Sequence, residues 1–556
     1  MYLLTLHEDS NANISLFKDG KIIFAVAEER LSRVKHQGGF PIRSIKFILD
    51  KYKLTLKDMD VILCTNKYHP LPRILWNKFP TFEHSFLGVM QKATIYYQHA
   101  IFKNAALRKC IEAFNKALLR QRFKKPVELT SHHTAHAYSA YLTSGFDKAV
   151  AISTDNFGDG MSSAVFTCEN GICDFLYGSS ALNSPGQFYG TIAQLLGINP
   201  LLAGKMTGLA GYGNPETAYP LIKKLFSLSA DHRDFILPSL LFQSSRSGIY
   251  RKLSGYKKED VAAAAQRRFE EIMLEYIKEA IKATKIPYVC LAGGVYGNVR
   301  LNKKISELDE VKGIFIHPAM NDQGISLGAG LGYLAQNSGL KPFKLDNLYF
   351  GPGYDNDEIE AAIKKEKLNY ERLQDIETAV AQLLAAGKVV ARFSGRMEYG
   401  LRALGNRSIL YQTTDKSVND WLNIKLKRSE YMPFAPVTME EYAGLCYANI
   451  EKVKYNSKFM TIAVDCTEWM KQVSPGVVHV DGTARPQLIK EEDNPGYYRI
   501  LKEYHRITGI PSLINTSFNM HEEPIVCTPS DALRAFKKAG IDYLAIGNYL
   551  VKNQCS

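Results

Sequence analysis

The chain has 556 residues, 46% of them hydrophobic and 22% charged, which is typical of a globular protein long enough for two to four domains. Its formal net charge of +13 fits either a nucleic-acid binder or a basic surface that attracts small anionic substrates, so charge does not decide between these classes. The nine cysteines form no CxxC pair, which argues against a structural zinc ribbon and predicts reduced thiols in a cytoplasmic protein.

The first part of the chain alternates strand-like runs with turns. YLLTLH, ISLFKDGK and IIFAVAEERL predict three strands, and a helix from about Ile42 to Lys53 and the strand VILCT follow. The N-terminus enters a strand at once and no apolar run reaches membrane-spanning length, so we expect neither a secretory signal nor a membrane span. Strand hairpins followed by alternating helices indicate an α/β layer structure, whose ligands lie beyond the strand ends.

A basic insert interrupts this pattern between residues 66 and 125. It mixes Lys and Arg with apolar residues at helical spacing. A solvated helical hairpin and a binding patch for an anionic partner are both open, and no motif assigns the role of the insert.

The stretch that follows the insert contains a candidate metal site. His132 and His136 are four residues apart, so on a helix their imidazoles lie on one face and can share one cation. Asp155 closes the next strand, AVAIST. Imidazole and carboxylate ligands suit divalent iron, manganese or zinc with an open position for substrate. A chance pair of histidines is the alternative, because this spacing is common.

The order of strands then repeats, which indicates an internal duplication. AVAIST is followed by the turn NFGDG, in which the backbone around Gly158 and Gly160 could bind phosphate oxygens while Asp155 and Asp159 hold a cation. Asp322 lies in a Gly-flanked turn before an apolar helix. We expect Asp155 and Asp322 to occupy equivalent places, after the first strands of two similar halves, as in an actin-like ATPase cleft.

A second glycine turn lies further along the same part of the chain. After a long helix from about Asp260 to Thr284, the strand YVCLAGG runs into GVYGNVRLNKKI. A glycine turn at a helix start lets adenosine or phosphate approach the backbone closely. Residues 336–355 then carry Pro, Gly and Asn without periodicity, which predicts a linker.

The last third of the chain contains a candidate anion pocket. Two helices and the strand KVVARFS lead to GRMEYGLRALGNRSIL, which presents three arginines among three glycines. Further basic positions and the Ser/Thr/Asn loop INTSFN follow. Arginine forks match phosphate and carboxylate geometry. Scattered surface arginines are the alternative, but the flanking residues are apolar, Pro or Gly rather than charged.

The motifs taken together resemble the O-carbamoyltransferase family of nodulation-factor and antibiotic-tailoring enzymes. The similarity extends over essentially the whole chain and rests on the order of nine motifs: SHHTAHAYSAY, DNFGDG, GKMTGLAGYG, LAGGVYGN, HPAMNDQG, RALGNRSIL, PFAPV, DGTARPQ and NTSFN.

The resemblance implies an α/β chain with two catalytic domains. Residues 1–345 would be a duplicated actin-like domain similar to the metal-dependent tRNA threonylcarbamoyl transferase, and residues 346–556 a YrdC-like α/β domain. The second domain would convert carbamoyl phosphate and ATP into carbamoyl adenylate. The first would pass the carbamoyl group to a hydroxyl of a sugar or natural product. Carbamate is labile, so sites enclosed against water suit this chemistry.

The resemblance also implies the cofactors and partners. The cofactors are ATP and a divalent metal, with Fe(II) as the family expectation and Mg(II) as a further ion for ATP. The partners are carbamoyl phosphate, ATP and a hydroxyl-bearing small-molecule or glycan acceptor, whose identity stays open together with the oligomeric state. Neither nucleic acid nor a membrane is expected.

Site residues follow by position in the motifs. His7 is the expected general base on the acceptor hydroxyl, with pairing to Glu8 and Asp9 as the structural alternative. The expected metal ligands are His132, His136, Asp155 and Asp322. The expected nucleotide-binding residues are Lys35, Gly158, Asp159, Gly160, Lys205, Gly293, Gly294 and Asn298. The expected carbamoyl-phosphate-binding residues are Arg402, Arg407, Lys427, Arg485, Asn515 and Ser517. Met432 stands where many relatives carry an arginine, and Arg428 could substitute for it.

Other functions fit parts of the pattern. A tRNA threonylcarbamoyl-type transferase would use the basic insert as an RNA surface, but it would need only one of the two domains. A non-catalytic actin-like nucleotide sensor would not need the anion pocket. A hydrogenase-maturation carbamoyltransferase would use these folds in the opposite order, with zinc-finger cysteines that this sequence lacks.

Overall fold

The computed structural model of the protein describes residues 1–65, 67–68, 97, 99–100, 103–238, 248–426 and 433–553. The chain forms two compact units. The first contains Met1–Glu28 and His36–Leu345, and the second contains Glu29–Lys35 and Asp346–Ser556. The short helix α1 (Glu28–Ser32) therefore begins at the end of one unit and continues in the other. In the described ranges, no helix is both long and apolar enough to cross a membrane.

Two five-stranded sheets form the framework of the first unit. The strands of one sheet are β1 (Tyr2–His7), β2 (Asn13–Lys18), β3 (Lys21–Ala27), β4 (Val61–Cys64) and β5 (Val127–Leu129). The strands of the other are β6 (Lys148–Gly158), β7 (Met161–Glu169), β8 (Ile172–Ser180), β11 (Tyr288–Ala292) and β12 (Gly313–Ile316), and β9 (Ser227–Leu228) pairs with β10 (Phe235–Ile236) separately.

The two sheets have the same topology. The strand order is β3-β2-β1-β4-β5 in one and β8-β7-β6-β11-β12 in the other. In each sheet the central strand, β1 or β6, pairs antiparallel with the strand that follows it in sequence, β2 or β7. On its other side it pairs parallel with β4 or β11. The predicted internal duplication is therefore present, and it is compatible with an actin-like unit.

Helices cover these sheets. They are α2 (Ile42–Tyr52), α3 (Ala105–Phe123), α4 (His132–Leu142), α5 (Pro185–Leu195), α6 (Lys205–Leu209), α7 (Pro215–Ile222), α8 (Gly248–Leu253), α9 (Lys258–Thr284), α10 (Val299–Ser306) and α11 (Ile325–Ser338). Short 3-10 turns span Leu56–Asp58, Pro200–Leu202, Ala210–Tyr212, Lys223–Leu225, Gly294–Gly297 and Asp322–Gly324. The predictions of α2 and α9 are confirmed to within two residues, and most of the basic insert before α3 lies outside the described residues.

Helices α4 and α11 follow the last strands of the two sheets and pack closely against each other. A Cβ atom at Gly328 would lie 2.0 Å from the carbonyl oxygen of Ala135, and one at Gly332 would lie 2.5 Å from the Tyr138 ring. Glycine at these positions therefore lets the two helix backbones approach. Nearly every side chain of α4 is buried, so this helix forms part of the core of the first unit.

The second unit is built on an eight-stranded mixed sheet. Its strands are β13 (Tyr370–Arg372), β14 (Val390–Phe393), β15 (Arg407–Gln412), β16 (Ala435–Met439), β19 (Gln487–Ile489), β20 (Ser512–Ser517), β21 (Tyr543–Ile546) and β22 (Tyr549–Lys552), with β17 (Val464–Asp465) and β18 (Thr483–Ala484) as a separate pair. The strand order is β13-β22-β21-β14-β15-β20-β16-β19.

Helices pack on this sheet as well. They are α12 (Asn356–Lys365), α13 (Ile376–Ala385), α14 (Val418–Lys425), α15 (Ala443–Cys446), α16 (Lys454–Ser457), α17 (Glu468–Val473), α18 (Pro495–Thr508) and α19 (Pro529–Ala539), with 3-10 turns at Glu440–Tyr442, Ile450–Val453 and Pro475–Val477. Buried apolar residues of α13 and α18 join those of the central strands in one core cluster.

One expectation about the cysteines is wrong. Cys168 on β7 and Cys173 on β8 are register partners and form a disulfide. The prediction of reduced thiols throughout fails at this pair because the β7–β8 hairpin places two cysteines directly opposite each other. Cysteine spacing alone does not reveal such a pairing.

The approach of α4 and α11 generates a prediction. Gly328→Ala inserts a methyl group against the Ala135 carbonyl, so we expect the free energy of unfolding of the first unit to fall by about 1–3 kcal/mol. Urea unfolding followed by circular dichroism measures the change. Gly204→Ala is the matched control, because nothing lies within 4 Å of its Cβ position. Equal stability of the two variants would contradict this account of the helix pair.

Candidate metal centre and anion-binding loops

Four side chains of the first unit converge on one point. They are His132, His136, Asp155 and Asp322, and their ligand atoms all lie within 4.8 Å of one another. The Nε2 atoms of the two histidines are 3.4 to 3.9 Å from the facing carboxylate oxygens. These separations are too long for good hydrogen bonds and leave room for a cation between the groups.

The ligand atoms of these side chains have the surroundings expected of a metal site. The Nε2 atoms of His132 and His136 and Oδ1 of Asp322 are buried and make no hydrogen bond to any described residue. Unpaired buried polar atoms are costly, and three of them aimed at one point indicate a shared ligand. Two imidazoles with two carboxylates form a donor set that divalent iron, manganese or zinc accepts. The residues present therefore fit a divalent metal.

The pKa values of the cluster indicate that its two carboxylates favour a positive charge between the four side chains. Burial lowers the pKa of His132, but the carboxylates of Asp155 and Asp322 outweigh it and raise that pKa to about 9. Burial raises the pKa of Asp155, but the two imidazoles hold it well below its usual range. A bound metal would take the place of the proton that these groups otherwise share.

Contacts outside the cluster orient the two carboxylates. Ser10 Oγ donates a hydrogen bond of 2.6 Å to Asp322 Oδ2, and Asn13 donates through Nδ2 to the Asp322 carbonyl oxygen at 2.7 Å. The backbone N–H of Gly294 donates to Asp155 Oδ2 at 3.1 Å. Each carboxylate thus has one oxygen directed at the imidazoles by its surroundings.

The turn after β6 holds the start of α4. The Asp159 carboxylate accepts hydrogen bonds from the backbone N–H groups of His132 and Tyr68. A Cβ atom at Gly158 would lie 2.3 Å from the His132 ring, so only glycine fits beside this imidazole. The turn thus positions His132, a candidate metal ligand, while the nucleotide roles predicted for Gly158, Asp159 and Gly160 stay predictions.

The expected equivalence of Asp155 and Asp322 is wrong. Asp155 lies at the end of β6, the counterpart of β1, whereas Asp322 precedes α11 and follows β12, the counterpart of β5. The topological equivalent of Asp322 is therefore the start of α4, where the histidines lie. The four side chains come together because α4 packs against both α11 and β6.

His7 lies near the cluster but inside the protein. Its ring is fully buried, with Nδ1 2.7 Å from Thr65 Oγ1 and Nε2 3.1 Å from the Ser10 carbonyl oxygen. The centroids of the His7 and His132 rings are 6.2 Å apart. Burial lowers the pKa of His7 to about 4, so the imidazole is neutral. A role as base would require one of its two hydrogen bonds to be exchanged for the acceptor hydroxyl.

The remaining residues of the predicted nucleotide set have varied surroundings. Gly293 has a φ of 102° and packs on the Thr154 backbone, so its conformation requires glycine. Asn298 caps α10 and donates a hydrogen bond to Gln266. Lys205 begins α6. Lys35 belongs to the second unit, so the structure does not group it with the glycines of the first.

One edge of the second sheet gathers most of the predicted anion-binding stretches. Asn515 donates through Nδ2 to the Ala403 carbonyl oxygen at 3.0 Å and to Gln487 Oε1 at 2.7 Å, and Gln487 donates to the Leu404 carbonyl oxygen. The beginnings of β15, β16 and β19 therefore meet the end of β20. This contact brings together the segments that carry Arg402, Arg485 and Ser517, all three of which are partly exposed.

Arg407 has a different environment from the one predicted. It is fully buried, its guanidinium donates to four backbone carbonyl oxygens, and it lies 3.6 Å from the centroid of the Phe393 ring. Burial lowers its pKa to about 10, which leaves it positively charged at neutral pH. This environment supports a structural role instead of carbamoyl-phosphate binding. Lys427, Arg428 and Met432 lie outside the described residues.

Sequence reasoning missed three residues that organise these sites. Ser10 orients Asp322, and Gln487 joins two anion-binding loops. The buried Glu398 accepts hydrogen bonds from three backbone N–H groups of the loop that follows Arg402, those of Leu404, Asn406 and Arg407. A lone glutamate within GRMEYGLRALGNRS was the available signal, since a carboxylate beside several glycines can bind free backbone N–H groups.

The fold and the site define a two-unit α/β protein with a buried metal-ligand cluster in its duplicated part. Residues 4–331 match the family described as Carbamoyltransferase N-terminus, and residues 381–553 match Carbamoyltransferase C-terminus. The chain therefore belongs to the carbamoyltransferase family and is a carbamoyl-transferring enzyme, as the resemblance predicted.

Similar proteins extend over most of the chain. It is 32% identical over 566 residues to an uncharacterized protein of Methanocaldococcus jannaschii, with 99% of both chains covered. It is 30% identical to nodulation protein NolNO of Sinorhizobium fredii, covering 97% of this chain and 78% of that protein. It is 34% identical to nodulation protein NolO of Bradyrhizobium diazoefficiens, covering 76% of this chain and 79% of that protein.

The chain is less similar to solved structures than to these relatives. HypF of T. kodakarensis is 14% identical and aligns with a TM-score of 0.37, covering 61% of this chain and 48% of that one. A TM-score this low supports no statement about function.

The metal-ligand cluster generates a prediction about binding. In the double variant His132→Ala, His136→Ala we expect bound metal to fall from about one ion per chain to none, because both imidazole ligands are lost. Elemental analysis of the purified protein measures this, with circular dichroism to check folding. His232→Ala, at an exposed histidine, is the matched control and should keep its metal. Full metal content in the double variant would remove these histidines from the site.

Proposed function

We propose that the protein is an ATP-dependent O-carbamoyltransferase that uses carbamoyl phosphate and forms a carbamoyl-adenylate intermediate. The observation that carries this proposal is the convergence of His132, His136, Asp155 and Asp322 inside a member of the carbamoyltransferase family. Three of the converging buried atoms have no hydrogen-bond partner in the part of the chain that the structure describes. A family enzyme with a metal-ligand cluster in one unit and an anion-binding edge in the other has the parts that two linked half-reactions need.

The second unit is the proposed site of the first half-reaction, and its fold is proposed to be YrdC-like. Water hydrolyses carbamoyl phosphate to carbamate and phosphate. A carbamate oxygen then attacks the α-phosphorus of ATP, and pyrophosphate leaves. Arg402 and Arg485, on loops joined by Asn515 and Gln487, would bind the phosphate groups. Lys427 and Ser517 complete the proposed set.

The first unit is the proposed site of the second half-reaction, and its fold is proposed to be actin-like. The acceptor hydroxyl attacks the carbamoyl carbon of the adenylate, and AMP leaves. The four-residue cluster would hold a divalent metal, proposed to be iron, which when bound supplies a Lewis acid for the oxygens of the adenylate. The turns that contain Gly158 and Gly293 are the proposed nucleotide-binding segments, and the exposed residue Gly294 follows Gly293.

The acceptor is proposed to be a hydroxyl of a sugar or natural product. Two relatives with long alignments, NolNO and NolO, are named nodulation proteins. Mass spectrometry of candidate acceptors incubated with enzyme, ATP and carbamoyl phosphate tests the reaction through a carbamoyl mass gain. Omission of ATP should abolish that gain and pyrophosphate release together. A mass gain without ATP would exclude the adenylate route.

If the two half-reactions occupy separate units, a substitution in the second unit should abolish adenylate formation and leave transfer intact. Arg485→Ala should abolish pyrophosphate release from ATP and carbamoyl phosphate, because the donor loses a positive partner. The same variant should still transfer the carbamoyl group from pre-made carbamoyl adenylate. Arg499→Ala, at an exposed arginine of the same unit, is the control and should use both donors normally. If Arg485→Ala fails equally with both donors, the two half-reactions do not occupy separate sites.

If His7 is the general base, its substitution should slow carbamoyl transfer and leave adenylate formation intact. General-base removal costs about two to four decades in rate, so His7→Asn should lower transfer by that order and leave pyrophosphate release unchanged. Thermal melting of the same preparation tests the alternative, because a purely structural His7 should lower stability and transfer in parallel. Near-normal transfer by a folded His7→Asn variant would remove His7 from the reaction.

A further inference from the structure

Residues 29–35, here called the inserted segment, belong to the second unit although 310 residues of the first unit follow them, from His36 to Leu345. Glu29 and Arg30 in this segment are almost completely buried, with 4% and 5% of their surface exposed. Buried charged side chains this early in the chain indicate that the segment contributes specific contacts to the second unit.

Arg30 contacts the loop that carries Arg402. Its guanidinium is 2.7 Å from the Glu29 carboxylate and donates a hydrogen bond of 3.0 Å to the carbonyl oxygen of Gly400. Gly400 has a φ of 95°, so this backbone conformation is available mainly to glycine. The neighbouring Leu31 packs against the buried cluster that contains Ala403. Contacts of the segment therefore flank Arg402 on both sides in sequence.

Arg33 contacts a second loop of the same unit. It donates to the carbonyl oxygens of Pro524 and Ile525, each at 2.7 Å, and its Nε lies 3.4 Å from the Asp531 carboxylate. The planar guanidinium bonds the two adjacent carbonyls through two separate nitrogens, a geometry that the single nitrogen of a lysine does not reproduce.

The loop held by Arg33 is connected to Ser517. Asn519 donates through Nδ2 to the Glu523 carbonyl oxygen at 3.0 Å, next to Pro524. Asn519 also accepts, through Oδ1, a hydrogen bond of 2.5 Å from the Ser517 hydroxyl. A short path of hydrogen bonds therefore runs from Arg33 to the end of β20.

We propose that Arg30 and Arg33 are positioning residues that hold the loops of Arg402 and Ser517 in the arrangement that binds carbamoyl phosphate. This inference rests on the proposed function of the second unit. Neither guanidinium needs to touch the donor, because each acts through backbone carbonyls of a loop. Small displacements of binding groups are costly for a reaction that depends on their relative placement.

The test uses the full-length protein and the variants Arg30→Met, Arg33→Met and Arg33→Lys. Arg33→Lys keeps a positive charge near Asp531 but offers one nitrogen in place of the two that bond the carbonyls. Val34→Ala is the matched control, since Val34 lies in the same segment and is 40% exposed. Initial rates of pyrophosphate release are measured at varied carbamoyl phosphate and at varied ATP, together with transfer from pre-made carbamoyl adenylate.

We expect KM for carbamoyl phosphate to rise by about tenfold or more in all three arginine variants. KM for ATP and transfer from the adenylate should stay at the values of the unsubstituted protein, as should every parameter of Val34→Ala. Hydrogen exchange should accelerate in peptides that cover residues 398–406 and 517–527.

Other results would overturn the inference. An unchanged KM for carbamoyl phosphate in Arg30→Met and Arg33→Lys would do so. A parallel loss of pyrophosphate release and of transfer, with a lower melting temperature, would also do so, because it indicates that the arginines only stabilise the fold. If the unsubstituted protein releases no pyrophosphate with carbamoyl phosphate, the proposed function fails, and hydrogen exchange then decides alone. Exchange that accelerates in those two loops supports positioning, and unchanged exchange overturns it.

Discussion

Three buried atoms that make no hydrogen bond to any residue in the described ranges face one point inside the first unit, and the contacts around them keep them there. Burial of an unpaired imidazole nitrogen or carboxylate oxygen is costly, so His132, His136 and Asp322 together require a cation or protons between them. The surrounding contacts keep the atoms in place: Asp159 holds the start of α4, and Ser10 holds the carboxylate of Asp322. A site kept rigid in this way loses little freedom when a ligand binds.

The duplication of the first unit accounts for how the cluster is assembled. Each half ends with a helix after its fifth strand, and these two helices pack together through glycines such as Gly328. One half supplies both histidines from α4, and the other supplies Asp155 from β6 and Asp322 from the turn before α11. The ligand set thus needs both halves, and its geometry depends on how closely two helices approach.

The second unit uses backbone groups where the first uses side-chain ligands. Glu398 binds three N–H groups of its loop, Arg407 binds four carbonyl oxygens, and Arg30 and Arg33 bind carbonyls of neighbouring loops. Loops rich in glycine lose much conformational freedom when they are ordered, and charged hydrogen bonds offset that loss. The edge of the sheet at β15, β16, β19 and β20 is therefore surrounded by loops that side chains of distant segments hold in place.

The sequence by itself determined the elements, the duplication, the histidine pair and the family, because each depends on local periodicity or on the order of short motifs. His132 and His136 lie on one helix face by their spacing alone. Only the tertiary structure decided that Asp322 meets them from the start of α11, that Arg407 is buried under backbone carbonyls, and that Cys168 faces Cys173. It also decided that residues 29–35 belong to the second unit. These facts depend on packing between segments far apart in the chain, and no local pattern of residues encodes which distant backbone group a buried side chain will reach.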